Sequence, residues 1–202
     1  MHRVPHIALI YDCSPKNTVK EIVDITGKIA KKYPHLKFLY DGWELKDAAH
    51  GYVFGYKIKP TKELKLFREE LYKELKDHLY EHNSHEFNSL SADDFWFHSA
   101  IVFRLHGDIV KKIDAFIQDS EAGILMGKFP IHPLIIESEA VRISFLSSSR
   151  KIIYEYDTIL DKIITRNEAL SRDTMRDTLQ KYREKEGMTI TTYNSKQKKN
   201  NG

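Results

Sequence analysis

The chain is poor in cysteine, has no long apolar run, and carries little excess of either charge. Its one cysteine in 202 residues, Cys13, excludes an internal disulfide framework and any thiolate metal cluster made by this chain alone, and it fits a reducing compartment. No apolar run approaches the ~20 residues that a membrane-spanning helix needs. Met1 leads at once into a strand-like segment rather than a charged stretch followed by an apolar one, so the expectation is a soluble, unexported, cytoplasmic protein. With 32 basic against 29 acidic side chains the net charge is only +3, too small for the field of a protein that coats duplex nucleic acid. Hydrophobic residues make up 41% of the chain, which at this length supports one well-buried core.

Hydrophobic periodicity then places the elements. Residues 4 to 11 (VPHIALIY) read as a short strand broken by Asp12 to Pro15. Thr18 with Glu21 forms a capping box, and Val19, Ile22, Val23, Ile29 and Ala30 repeat at helical spacing up to Pro34. HLKFLYDGWEL (35 to 45) reads as a strand and turn; in GYVFGYKI, Tyr52, Phe54, Tyr56 and Ile58 alternate as a half-buried strand does. Pro60-Thr61 opens a helix striped by Leu64, Phe67, Leu71, Leu75 and Leu79. FWFHSAIVFRL (95 to 105) is a strand, GDIVKKIDAFIQ a helix, AVRISFL (140 to 146) and RKIIYEY (150 to 156) two more strands, and a last helix starts near Asn167 and stops at Gly187. Helices between strands, with hairpins as well, give an α+β architecture. The division expected is a domain over 1–164, a helical extension over 165–187 and a disordered basic tail over 188–202, whose Lys196 to Lys199 offer at most weak attraction to RNA.

Two of the apolar runs carry a histidine followed by a small residue: His6-x-Ala8 and His98-x-Ala100. Alternation puts Phe97, Ser99, Ile101, Phe103 and Leu105 on the core side of the second run, and Trp96, His98, Ala100, Val102 and Arg104 on the open side. In the first, Ile7, Leu9 and Tyr11 oppose His6, Ala8 and Ile10. The two motifs lie about half the folded chain apart, as a duplicated β-α unit would place them, although no side-by-side repeat is visible. With 10 histidines in the chain, two buried strands that happen to carry a histidine explain the pattern as well.

Taken in order, Pro5-His6-Ile7-Ala8-Leu9, YDGWEL, GYVFGYKI, the P-T-x-E-L helix start and Phe97-His98-Ser99-Ala100-Ile101 resemble the two-histidine phosphoesterase superfamily, in particular its 2′-5′ RNA ligase-like and RNA 2′,3′-cyclic phosphodiesterase branch, over roughly residues 4 to 157. The resemblance implies a bilobed fold in which two antiparallel sheets form a concave cleft with helices packed outside. It also implies metal-free acid/base catalysis by His6 and His98, with no cofactor, on RNA ends or small nucleotides. Imidazoles with pKa values near 6.5 suit both proton transfers at neutral pH. The family's motif hydroxyls are missing, since positions 8 and 100 are alanine, and loss of such a donor costs on the order of a hundredfold or more in rate. Ser99 is one residue out of register and reaches the cleft only through a β-bulge at 98 to 99.

Other residues are candidates for the missing phosphate contacts. Arg142 and Ser144 lie opposite the buried Val141, Ile143 and Phe145, and a guanidinium forks onto phosphate; Arg104 shares a strand face with His98. Tyr52, Tyr56 and Trp96 offer stacking surfaces. His78, His82 and His85 have helical spacing, but nothing around them supports a metal, and none is expected. Cys13 has no base beside it and reads as an unreactive thiol. No protein partner is legible, and a monomer is expected. Three readings therefore stand: a phosphodiesterase, a noncatalytic RNA or nucleotide-phosphate module on the same fold, and an unrelated α+β protein whose two histidines are buried and hydrogen-bonded.

Overall fold

A computed structural model describes residues 6–48, 50–82, 88–89, 91–125, 135–147 and 151–187. In chain order the elements are β1 (Cys13–Pro15), α1 (Val19–Ala30), β2 (Lys37–Lys46), β3 (Tyr52–Pro60), α2 (Lys62–Leu75), a 3-10 turn (Lys76–His78), β4 (Leu79–Glu81), β5 (His98–Leu105), α3 (Asp108–Leu125), β6 (Ile135–Glu139), β7 (Arg142–Leu146), β8 (Ile152–Asp157), β9 (Lys162–Thr165), α4 (Arg166–Ala169) and α5 (Arg172–Lys185). The strands form three sheets, ordered β1-β4, β5-β3-β2-β6 and β7-β8-β9, and every pairing is antiparallel. The architecture is α+β, and no helix among the described residues is long and apolar enough to cross a membrane.

Local chemistry accounts for the two helices that cover the main core. Thr18 accepts from the Glu21 amide at the start of α1, and Thr61 accepts from the Leu64 amide at the start of α2, so each helix begins with one of its orphan donors satisfied. The buried stripes Ile22, Ile29 and Ala30 of α1 and Leu64, Phe67, Leu71 and Leu75 of α2 pack on Phe38, Ile58, Phe95 and Phe97, and the same core takes in Ile143 and Tyr156 from the C-terminal sheet. Close packing of α1 on that sheet leaves little room at Gly27, where a Cβ would lie 3.0 Å from the Tyr156 ring and the ring would have to shift slightly.

Several expectations are corrected. Residues 6 to 11 form no strand; β1 begins only at Cys13 and pairs with β4, and Val4 and Pro5 lie outside the described residues. Strands β4, β6 and β9 were not foreseen. The last helix is two, because α4 ends at Ala169 with Leu170 as its C-cap and Ser171 caps a new start. Helix α5 bonds to β8 and β6: Thr178 donates to Asp157 at 2.5 Å, and Tyr182 donates to Glu139 at 3.1 Å. The tail beyond Gly187 lies outside the described residues.

Strand β5 departs from regular alternation. Its pairing with β3 shifts register between Gly55 and Phe54 and again between Phe54 and Tyr52, and Arg104 takes a left-handed φ of 57°. Two irregularities in one strand re-aim its side chains. Ile101 and Val102 are consequently both exposed, at 44% and 39%, where strict alternation predicts one in and one out.

Candidate functional site around His98

His98 opens β5 opposite Lys57 of β3 and is buried, at 6% exposure, not open as alternation suggests. Two rings bury it. Trp96 stacks on the imidazole with centroids 3.6 Å apart, and Tyr11 stacks at 5.7 Å. The Tyr11 hydroxyl donates to the Trp96 carbonyl at 2.6 Å and lies 2.9 Å from His98 Nδ1; Nδ1 is also 3.2 Å from that carbonyl. A phenol has one proton, and the shorter contact takes it. Nδ1 then faces two oxygens that offer it no hydrogen, so Nδ1 carries the proton and Nε2 the lone pair.

Burial pulls the His98 pKa down to about 4; the charges of His6 and Lys46 push the same way, while the Trp96 carbonyl opposes them. His98 is therefore neutral at neutral pH. That His6 acts on it electrostatically puts the two imidazoles in one neighbourhood. The segment that carries His6 also supplies Tyr11, whose own phenol is pushed up by burial.

That segment is held by side chains instead of a sheet ladder. Asn88 accepts from the Tyr11 amide and donates to the Tyr11 carbonyl, both at 2.9 Å, which reproduces one hydrogen-bonded pair of an antiparallel ladder. Arg68, fully buried on α2, donates from Nε to the Leu9 carbonyl at 3.2 Å and from Nη1 to the Ser89 carbonyl. Its guanidinium lies 4.0 Å from the Phe95 ring and 4.9 Å from that of Tyr72. Burial lowers its pKa to about 10, which leaves it cationic at neutral pH. Ala8, half-buried in this segment, and Ala100, paired with Gly55, bring no hydroxyl.

A groove of about 290 Å³ runs past Trp96, the ring stacked on His98, and is lined also by Glu44, Lys46, Lys57, Lys65, Asp93 and Asp94 among others. Lys46 Nζ sits 4.5 Å from the Trp96 ring centroid, and Glu44 accepts from the Trp96 indole N–H at 2.7 Å. Glu44, Lys46, Lys57 and His98 fall on one face of the sheet by register. Lys57 reaches Asp41 at 3.8 Å and Lys65 reaches Asp93 at 2.5 Å.

The other sequence candidates are placed elsewhere. Ser99, 3% exposed, pairs with Tyr56 across β3, and both occupy the face opposite His98; no bulge at 98 to 99 turns Ser99 around, since the register shift falls beyond Ala100. Tyr56 stacks on Trp43 at 4.5 Å and meets Tyr40 edge-on at 5.2 Å. Arg104 is exposed within the second irregularity of β5. Arg142 and Ser144 do not join the histidines. All three guanidinium nitrogens of Arg142 donate inside a buried network, to Asp157 and Glu155 at 3.2 Å each, to the Ala169 carbonyl at 2.9 Å and to Thr178 at 3.3 Å. Ser144 donates to Glu155 at 2.5 Å. His78 pairs with Glu21 at 3.0 Å and His82 with Ser14 at 3.0 Å, while His85 lies outside the described residues. Burial raises the Cys13 thiol to about 11, so it stays protonated and unreactive at neutral pH.

Tyr11, Asn88, Arg68, Lys46 and Lys57 are the site residues that sequence reasoning missed. Only Lys46 left a signal, as the residue two beyond Glu44 in a strand that begins KFLYDGWEL. No family model, curated protein or solved structure matches this chain.

Proposed function

We propose that the chain is a metal-independent phosphodiesterase of the two-histidine type, acting on RNA ends or small nucleotides by opening a 2′,3′-cyclic phosphate or making and breaking a 2′-5′ linkage. The observation that carries this reading is the convergence of the His6 segment on His98: Tyr11 bonds to the imidazole, and the His6 charge bears on it. Neutral His98, with its lone pair on Nε2, takes the base role in hydrolysis and accepts the proton of the attacking water; His6 takes the role of general acid toward the departing oxygen. A phosphate bound between them favours the protonated imidazole and brings His98 closer to working pH. With Arg142 engaged elsewhere and alanine at 8 and 100, Lys46 and Lys57, described cations on the His98 face of the sheet, take the role of meeting the phosphoryl oxygens.

Those two alanines also support a second reading, a noncatalytic module for RNA or nucleotide phosphates at the same cleft. Turnover of a nucleoside 2′,3′-cyclic phosphate in EDTA separates the two. Wild type should hydrolyse it, and His6→Ala and His98→Ala should each lose ~10²-fold or more. Activity that survives both substitutions rejects the mechanism. Absent turnover with binding that weakens in Lys46→Ala selects the module.

A further inference from the structure

Three segments far apart in sequence converge at the free end of α5. His35 follows α1, Glu139 ends the edge strand β6, and Glu186 caps α5 at its C-terminus. One nitrogen and two carboxylate oxygens from these residues all lie within 4.8 Å of one another. We propose that His35, Glu139 and Glu186 form a site for a divalent transition metal of the zinc class, which fastens the end of α5 to β6 and to the loop after α1.

The geometry suits that ion. His35 Nδ1 and Glu139 Oε1 are 3.1 Å apart. Zinc bonds to imidazole nitrogen and carboxylate oxygen at about 2.0 to 2.2 Å, so two such ligands on one ion stand about 3 to 3.4 Å apart at angles between octahedral and tetrahedral. The ion would take the place of the proton now shared between them. Glu139 is the fixed ligand: its side chain is 5% exposed, and its other oxygen accepts from Tyr182 at 3.1 Å, the kind of outer hydrogen bond that orients a ligating carboxylate. Glu186 is exposed at the helix end and closes the set by rotation of its side chain, leaving the remaining position to water.

Charge points the same way. A carboxylate at a helix C-terminus opposes the negative end of the dipole, and here it stands beside a second carboxylate; a divalent cation neutralises both. Two lysines border the cluster and limit its affinity: Lys37, held by Glu137 at 3.1 Å, and Lys185, bonded to the Pro34 carbonyl at 3.3 Å. Imidazole selects against calcium and magnesium.

The test uses the untagged full chain, stripped with EDTA and dialysed, then titrated with zinc chloride by calorimetry and with cobalt(II) by visible absorbance. Wild type should bind one zinc at this site, gain thermal stability on binding, and give a cobalt spectrum of low coordination number. His35→Ala, at a half-buried position, and Glu186→Gln, at an exposed one, should each weaken that site at least tenfold and abolish the thermal gain; Tyr182→Phe should weaken it ~10-fold through its effect on Glu139. His78→Ala combined with His82→Ala should leave it unchanged. Zinc binding and stabilisation that are the same in His35→Ala and Glu186→Gln as in wild type, or no binding at millimolar zinc, would overturn the proposal.

Discussion

Replacing His98 with glutamine should change how the stability of the protein depends on pH more than its stability at neutral pH. The imidazole is held near pKa 4 chiefly by burial, against about 6.5 in the unfolded chain. Between those values the unfolded chain binds a proton that the folded one refuses, so stability is fully present above pH 6.5 and falls as the pH drops through this window. At 1.36 kcal/mol per pH unit the gap corresponds to about 3 kcal/mol of unfolding free energy lost by pH 4. His98 is 6% exposed, so solvent screening does little to reduce this. Carboxylates also titrate on the way to pH 4, but they are common to both proteins and cancel in the difference. Urea unfolding at pH 7 and pH 4 should show wild type losing about 3 kcal/mol more than His98→Gln. Imidazole NMR should give a midpoint near 4 for His98, and inorganic phosphate should raise it if the site takes the anion. Equal losses in the two proteins, or a His98 midpoint at or above 6, would refute the argument.

Two other substitutions test the supports of the site. Arg142→Met should cost ~3 to 5 kcal/mol in chemical denaturation, because Glu155 and Asp157 lose the cation between them in a buried setting, while the affinity of the folded protein for a cyclic phosphate stays as in wild type; a selective loss of affinity would return Arg142 to the phosphate site. Asn88→Ala should cost ~1 to 3 kcal/mol by unpairing the amide and carbonyl of Tyr11, and it should also move the His98 imidazole resonances, since Tyr11 is the link between them; unchanged resonances would mean that the 6–11 segment is held by something else.

The regular elements were legible where one face is buried and the other wet. α2 shows its period of about 3.6 plainly, and Thr18 and Thr61 mark the starts of α1 and α2. β3 was legible as a strand, but its buried Val53 and Gly55 lie on the face opposite Ile58, so the expected single buried face does not hold. Residues 6 to 11 defeated the same method because an apolar run says that a segment is buried without saying what satisfies its backbone. Here Asn88 and Arg68, from a loop and a helix, do what a neighbouring strand would do. Arg142 failed for a related reason. Alternation placed it correctly opposite Ile143, but whether that face meets water or α4 and α5 is decided by parts of the chain that the strand pattern does not contain. The burial of His98 has the same origin: its stacking partner Trp96 is two residues away and readable, whereas Tyr11 comes from the other end of the domain.

Arg68 shows most clearly what such a construction requires. This cation, at 0% exposure, donates to two carbonyls and lies against two aromatic faces, and its lowered pKa records the desolvation. An apolar side chain of similar volume would satisfy the core at least as well. It would not reach the carbonyls of Leu9 and Ser89 together, and those two bonds are what bring the His6 segment and the Asn88 loop to the same side of α2. Asn88 then fixes Tyr11, and Tyr11 fixes the tautomer of His98. The chain of contacts runs from a buried charge to the imidazole that takes the base role in the proposed chemistry, which is the arrangement expected when a buried charge is retained for position.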